Sequence, residues 1–317
     1  MRKISKYVQS IVLSLSLCVG YAQNYGQDTT SIRFDAENWM KFLNDSVLIT
    51  DLSIPGSHNS CSYNTSLSFS KCQTRSLEEQ LKYGVRYLDL RFVYRNGTLV
   101  MYHGYDNLGM TFEQCLETVK RFLDEHPSET ILLRLQREKK GGKVTDEMYY
   151  DAIVAAFEKT GLPLIDTTDS ATAKLGNLRG KALVIEYNNM KQNARTFPHV
   201  SGYSYWGYFT SADQVKAKWE DILKKETNNI DRQRINRINL YSAGGRKILG
   251  ITVPNPKSFT KLLIKIKLGT IIDFISNDPH NYVIITDFEE LYLKKPGKFY
   301  RLIIEKNFNS LRFHKDE

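Results

Sequence analysis

Apolar, β-branched runs that alternate with amphipathic helical stretches predict an α/β protein whose parallel strands close into a single irregular (β/α)8-type barrel. Two further observations point the same way. No Pro/Gly/Ser-rich linker divides the 317 residues into separate domains, and no Gly-x-Gly-x-x-Gly turn follows the first strand, as an open doubly wound sheet would favour. Strands are expected over 47–53, 87–92, 99–102, 130–135, 182–185, 238–241 and 282–286. Several carry consecutive apolar β-branched residues, the pattern of strands covered on both faces.

Helices are expected between them. Over 111–125, Phe112, Cys115, Leu116, Val119 and Phe122 fall on one helical stripe, which His126-Pro127 ends. The stretches 146–159 and 212–225 have the same character. Over 257–268, Lys257, Lys261, Lys265 and Lys267 alternate with Phe259, Leu262, Leu263 and Ile266. Such a segment can lie on anionic lipid, but the four apolar residues also form an ordinary core-facing stripe, and an outer barrel helix is the expectation.

A hydrophobic content of 41 % and a charged content of 25 % exclude a disordered chain. The net charge of +9 comes from dispersed Lys and Arg without a nucleic-acid-binding motif, so a nucleic-acid partner is not expected. Arg2, Lys3 and Lys6, the apolar run over 11–19, and Gly20 and Ala22 predict a signal peptide over 1–22, with the barrel over 23–317. The expected destination is secreted, periplasmic or cell-surface. Lipid attachment at Cys18 is the weaker reading, because Leu17 stands where a small residue is usual. Cys61, Cys72 and Cys115 would remain, and Cys61 with Cys72, in one polar loop, is the favoured pair for a disulfide. No Cys/His spacing suggests structural zinc.

In a parallel barrel, the polar residues at the carboxyl ends of the strands converge on one mouth. Four segments supply them: Ser57-His58-Asn59-Ser60, Asp89-Leu90-Arg91, Tyr102-His103-Gly104 and Thr286-Asp287-Phe288. Two histidines, an arginine and a carboxylate can cleave a phosphodiester without metal. One imidazole takes a proton from a hydroxyl nucleophile, the other protonates the leaving oxygen, and the guanidinium offsets charge on the phosphoryl oxygens. Taken singly, each has a plainer reading: a structural histidine, an Arg91–Asp89 ion pair, a helix-capping Asp287.

Taken together, Ser53-Ile54-Pro55-Gly56-Ser57-His58-Asn59-Ser60, Gly84-Val85-Arg86-Tyr87-Leu88-Asp89-Leu90-Arg91, Tyr102-His103-Gly104 and Pro127-Ser128-Glu129-Thr130-Ile131 resemble the X-domain signature of bacterial phosphatidylinositol-specific phospholipases C. Asn239-Leu240-Tyr241-Ser242-Ala243-Gly244-Gly245 and Val283-Ile284-Ile285-Thr286-Asp287 resemble later strands of the same family. The resemblance implies a distorted TIM barrel that cleaves phosphatidylinositol, or a glycosylated inositol lipid, to diacylglycerol and inositol 1,2-cyclic phosphate. It implies His58 as general base, Asp287 as the carboxylate orienting it, His103 as general acid, Arg91 as phosphate ligand and Asp89 as a supporting carboxylate. A monomer in transient contact with a membrane surface is the implied state.

Departures from the family pattern are specific. Asn59 stands where the bacterial enzymes carry an Asp that supports the arginine and the acid histidine. Calcium-dependent relatives do have His-Asn here, but Arg91 would occupy the metal position, so no metal and no cofactor are expected. Trp206 falls near a sugar-binding Asp of the family, Tyr208 near a stacking Tyr, and Gln136 and Arg137 near a lysine; Trp206, Tyr208 and Arg137 are the expected headgroup contacts. Two alternatives remain at this stage: a metal-dependent glycerophosphodiester phosphodiesterase, and a headgroup-binding barrel weakened in catalysis.

Overall fold

The strand-forming runs expected from sequence assemble around one parallel sheet. In chain order the strands are β1 (Ile54–Ser57), β2 (Tyr87–Arg95), β3 (Thr98–His103), β4 (Asp106–Thr111), β5 (Ile131–Arg137), β6 (Leu164–Ile165), β7 (Ala182–Asn188), β8 (Val200–Ser201), β9 (Ile235–Leu240), β10 (Arg246–Ile248), β11 (Ile251–Val253) and β12 (Val283–Thr286). The helices are α1 (Leu77–Lys82), α2 (Phe112–Glu125), α3 (Asp146–Thr160), α4 (Leu175–Leu178), α5 (Ala212–Asn228), α6 (Pro256–Asn277) and α7 (Lys298–Phe313). The computed structural model describes residues 34–138, 144–165, 173–188, 200–201, 207–228, 230, 234–248 and 251–313. The expected signal peptide, Cys18 and Trp206 lie outside the described residues.

The main sheet follows the order β6-β7-β5-β2-β1-β12-β9-β8, with β3 and β4 added antiparallel beyond β2. All pairings along that path are parallel. Among the described residues no pairing joins β6 to β8, so the α/β barrel is irregular, as expected. Residues Ala36–Glu317 form one compact unit.

The first strand is displaced from its expected place. The stretch 47–53 has the stronger β propensity, yet it contains a 3-10 turn at Ile49–Asp51, and its backbone bonds to the segment around α4: Ile49 N–H donates to Ala173 O (2.9 Å) and Leu175 N–H to Val47 O (2.8 Å). The strand that enters the barrel is Ile54-Pro55-Gly56-Ser57, paired with β12 and β2. Packing overrides propensity here. A Cβ at Gly56 would sit 3.0 Å from the Tyr87 ring and 3.2 Å from Ile285, so the crowded barrel centre suits glycine.

Helix α7, missed in the sequence pattern, buries Phe299, Tyr300, Ile303 and Ile304. Its Asn307 closes the start of β1, accepting from Ser53 N–H (2.7 Å) and donating to Ser53 O (2.8 Å). In α6, Phe259 and Leu263 are buried while Lys257, Lys261 and Lys265 are exposed, the arrangement of an outer barrel helix. Among the described residues no helix is long and apolar enough to cross a membrane. The Cys61–Cys72 pairing is not made. All three cysteines are free, and the Cys61 sulfur lies 3.2 Å from that of Cys115 on α2, because the turn after β1 packs against that helix.

At the amino-terminal end of the strands, Arg86 and Glu129 form a fully buried ion pair, with Nε donating to Oε2 at 2.9 Å. The same guanidinium donates to the carbonyls of Leu81, Val85 and Glu37, and Glu129 also accepts from Met40 N–H. Both residues lie in segments that resemble the X-domain signature, yet they sit at the end of the barrel that serves stability. Glu129→Gln leaves a buried, uncompensated guanidinium and is expected to lower unfolding free energy by about 3–5 kcal/mol in urea titrations; a change near zero would contradict this role.

Candidate active site

The turn that follows β1 is locked before any substrate arrives. Ser57 Oγ donates to Ser60 Oγ (2.7 Å), Asp89 N–H donates to Ser60 Oγ (2.9 Å), and Ser60 N–H donates to Asp89 O (3.0 Å). Asn59 N–H adds a bond to Asp89 Oδ2 (3.1 Å). This requires a left-handed backbone at Asn59 (φ 45°), which asparagine tolerates better than most residues. Phe288, directly after Asp287, is also left-handed (φ 47°), a costly conformation for a bulky side chain. Asn59 and Phe288 each directly follow a candidate site residue.

His58 Nδ1 meets Asp287 Oδ1 at 2.8 Å, so one proton is shared within that bond and the ring orientation is set. The opposite nitrogen, Nε2, lies 3.2 Å from Asn59 Nδ2 and 4.0 Å from Asp89 Oδ2. Tyr241 stacks on the His58 ring at a centroid separation of 3.7 Å and an interplanar angle of 6°. His103 stands edge-on to His58, with centroids 6.2 Å apart. Its Nδ1 donates to Ser70 O at 2.6 Å, which leaves Nε2 as its working nitrogen.

Arg91 donates through Nε (3.0 Å) and Nη2 (2.8 Å) to Asp89 Oδ2, and through Nη1 to Glu138 Oε1 (3.2 Å). Asp89 Oδ1 is taken by Arg134 Nη1 (2.5 Å). Arg134 reaches in turn to Glu186 (3.1 Å), which also accepts from Arg237 (2.6 Å). A largely buried ladder of alternating charge thus links Arg91, Asp89, Arg134, Glu186 and Arg237.

These surroundings set protonation. Burial pushes His58 well below the ordinary imidazole value, and the charge of Arg91 adds to the shift, so the resting ring is a neutral base. Burial and Arg91 lower His103 too, while its bond to Ser70 O acts in the opposite direction. Burial alone would raise Asp89, but Arg91 and Arg134 outweigh it and hold that carboxyl well below the usual carboxylate range. Burial raises Asp287 above that range. An anionic phosphodiester beside His103 would favour its protonated form, which an acid role needs.

His58, Asn59, Asp89, Arg91, His103 and Asp287 are therefore brought together, as expected from the sequence. Arg137 is not. It alternates with Arg134 and Gln136 along β5, so its guanidinium faces α3, where it pairs with Asp146 (2.9 Å) and lies 4.6 Å over the Tyr149 ring. Arg134 supplies the buried cation instead. Tyr208 is half exposed and lines a cleft of about 640 Å³ with Phe209, Gln214 and Lys218 on the α5 side. Trp206 lies outside the described residues.

The Asn59 amide faces His58, and Arg91 is held instead by the carboxylates of Asp89 and Glu138. The sequence reading missed Arg134, Glu138, Tyr241 and the strap over 70–73. Gln73 in that strap donates to both His58 O (2.8 Å) and Thr286 O (2.9 Å), clamping two strand ends. Period-two alternation from Asp89 or Gln136 could have found Arg134 and Glu138; the strap has no local signal.

Fold and site together define an α/β-barrel protein whose mouth holds two buried imidazoles beside a guanidinium. Residues 47–187 match the family model described as phosphatidylinositol-specific phospholipase C, X domain. A 1-phosphatidylinositol phosphodiesterase of Listeria monocytogenes is 32 % identical over 178 residues, 51 % of this chain and 53 % of the relative. One from Staphylococcus aureus is 29 % identical over 143 residues, 43 % of each chain. The matched region thus spans about half the length of these curated relatives or less.

Two solved structures show the same fold. The phosphatidylinositol-specific phospholipase C of L. monocytogenes superposes with a TM-score of 0.66 at 23 % identity, over 86 % of this chain and 99 % of its own. A mutant of the S. aureus enzyme gives 0.68 at 19 % identity, over 86 % and 98 %.

The lowered His58 value carries a pH signature. The base is lost only as pH falls through that lowered value, so the acid limb of kcat/KM should lie below the ordinary imidazole value of about 6.5. Tyr241→Ala opens the ring to water and should move that limb upward. An unmoved limb would contradict burial as its cause.

Proposed function

We propose that the chain is a metal-independent phospholipase C that cleaves phosphatidylinositol or a related inositol phosphodiester. The observation that carries the proposal is the pair of imidazoles 6.2 Å apart, each with one nitrogen committed to an acceptor, both within the field of Arg91. His58 Nε2 takes the proton of the inositol 2-hydroxyl, the oxygen attacks phosphorus, and His103 Nε2–H protonates the departing diacylglycerol oxygen. Arg91 binds the phosphoryl oxygens, and inositol 1,2-cyclic phosphate is the first product. Asp287 orients the base, and Asp89 holds Arg91 in place.

The match of residues 47–187 to the X-domain family model and the names of the curated relatives support this reading. Arg91, with both its faces engaged by carboxylates, speaks against the metal-dependent phosphodiesterase alternative.

Membrane contact fits the rim beside His103 better than the lysine-rich α6. Leu67 and Phe69 (41 % and 42 % exposed) lie on the loop whose Ser70 carbonyl holds His103, and Tyr105 (90 % exposed) lies two residues beyond that histidine. Thr65, bonded to Asp106 at 2.6 Å, ties the two segments together. Apolar side chains at the mouth would bring the site to the headgroup layer of a bilayer. The protein acts as an exported monomer in this reading.

Product analysis by 31P NMR on phosphatidylinositol vesicles tests the proposal. Inositol 1,2-cyclic phosphate should accumulate in the presence of chelator, and His58→Ala and His103→Ala should each slow its release about 10²–10⁴-fold. Near-normal turnover in either variant, or activity that requires a divalent metal, would refute the assignment. Loss of cyclic product in the parent chain itself would favour a headgroup-binding barrel.

A further inference from the structure

The site holds a thiol that the reaction above does not use. Cys72 is buried in the strap over 70–73, with its N–H donating to Ser62 Oγ (3.0 Å) and its carbonyl accepting from Phe288 N–H (2.9 Å). Because Phe288 directly follows Asp287, the second bond brings the strap against the Asp287 carboxylate. One ligand atom each from His58, Cys72 and Asp287 lies within 4.8 Å of the others. Asp287 Oδ1 is engaged by His58, whereas Oδ2 is buried without an N–H or O–H donor; the Cys72 thiol, which also reaches Ser70 O (3.7 Å), lies against this carboxylate. A fully buried carboxylate oxygen lacking such a donor calls for a cation or a proton.

We propose that His58, Cys72 and Asp287 form a binding site for Zn2+, and that occupation of this site switches off the base. Imidazole nitrogen, thiolate and carboxylate are the donor set of a tetrahedral zinc site, and a sulfur donor disfavours Mg2+ and Ca2+. Tetrahedral bonds of about 2.0–2.3 Å place donors roughly 3.3–3.8 Å apart. The His58–Asp287 bond has to open by about half an ångström and the sulfur to close by up to about one, movements that side-chain torsions can supply. The open fourth position would take water or a phosphoryl oxygen.

The proton balance gives the inhibition. Zn2+ replaces the thiol proton of Cys72, which is released, and takes the His58 Nδ1 lone pair, so the ring proton moves from Nδ1 to Nε2. Nε2 then carries a hydrogen and cannot accept one from a substrate hydroxyl. Asn59 can follow this change by rotating its amide, because its Oδ1 is buried without a partner and can accept the new Nε2–H. The site comes from residues 58, 72 and 287, so no local ligand spacing announces it.

The inhibitory consequence rests on His58 as base; the metal site does not, and the test separates them. Co2+ added to the full chain should give a thiolate-to-cobalt charge-transfer band in the near ultraviolet, which Zn2+ displaces. Cys72→Ser and Cys72→Ala should abolish the band and weaken Co2+ binding by about 100-fold or more, whereas Cys61→Ser and Cys115→Ser should keep it. Zn2+ that displaces the band should also stop product release, and each Cys72 variant should resist it relative to its own metal-free rate. The absence of a band, its survival in both Cys72 variants, or activation by Zn2+ would overturn the proposal. A normal band on a chain that releases no cyclic product would keep the metal site and refute the phospholipase reading alone.

Discussion

One buried carboxylate organises the site. Asp89 accepts from the Asn59 backbone, from two nitrogens of Arg91 and from Arg134, while its own backbone is bonded on both sides to Ser60. These bonds join the turn carrying His58 to β2 and β5. Taking a carboxylate out of water is costly, and here two guanidiniums offset that cost and also gain fixed positions. Without Asp89, Arg91 and Arg134 would be like charges confined in the barrel, and the His58 turn would lose the acceptor that holds its left-handed residue.

The barrel separates stability from chemistry along its axis. Arg86 and Glu129, at the amino-terminal end, satisfy each other and several carbonyls in full burial. The mouth is built differently, with backbone strain at Asn59 and Phe288, an Asp287 oxygen buried without an N–H or O–H donor, and a neutral imidazole held against a carboxylate. Such features persist only where surrounding packing imposes them. Gln73 and the stacked Tyr241 ring provide that packing around His58.

Much of this was legible in the sequence because chemistry and fold coincide locally. Strand ends bearing His58, Asp89, Arg91, His103 and Asp287 could be recognised as one mouth once the parallel pattern was seen. Other features were not local. The first strand was misplaced because 47–53 has better β propensity than Ile54-Pro55-Gly56-Ser57, whereas the close packing of Gly56 against Tyr87 and Ile285 is a tertiary contact with no local signal. Arg137 was chosen through its nearness to a family lysine and Arg134 was missed, although alternation along β5 turns Arg134 into the barrel and Arg137 toward α3. Cys61 was paired with Cys72 by proximity in the chain, whereas folding sets Cys61 against Cys115 and places Cys72 beside Asp287.

The account depends on two imidazoles flanking one phosphorus centre. A crystal structure with a non-cleavable phosphonate analogue of the inositol lipid headgroup addresses that most directly. Phosphonate oxygens on Arg91, with His58 Nε2 toward the 2-hydroxyl and His103 Nε2 toward the bridging atom, is the predicted result. An analogue seated in the cleft beside Tyr208, or one touching a single histidine, would contradict it.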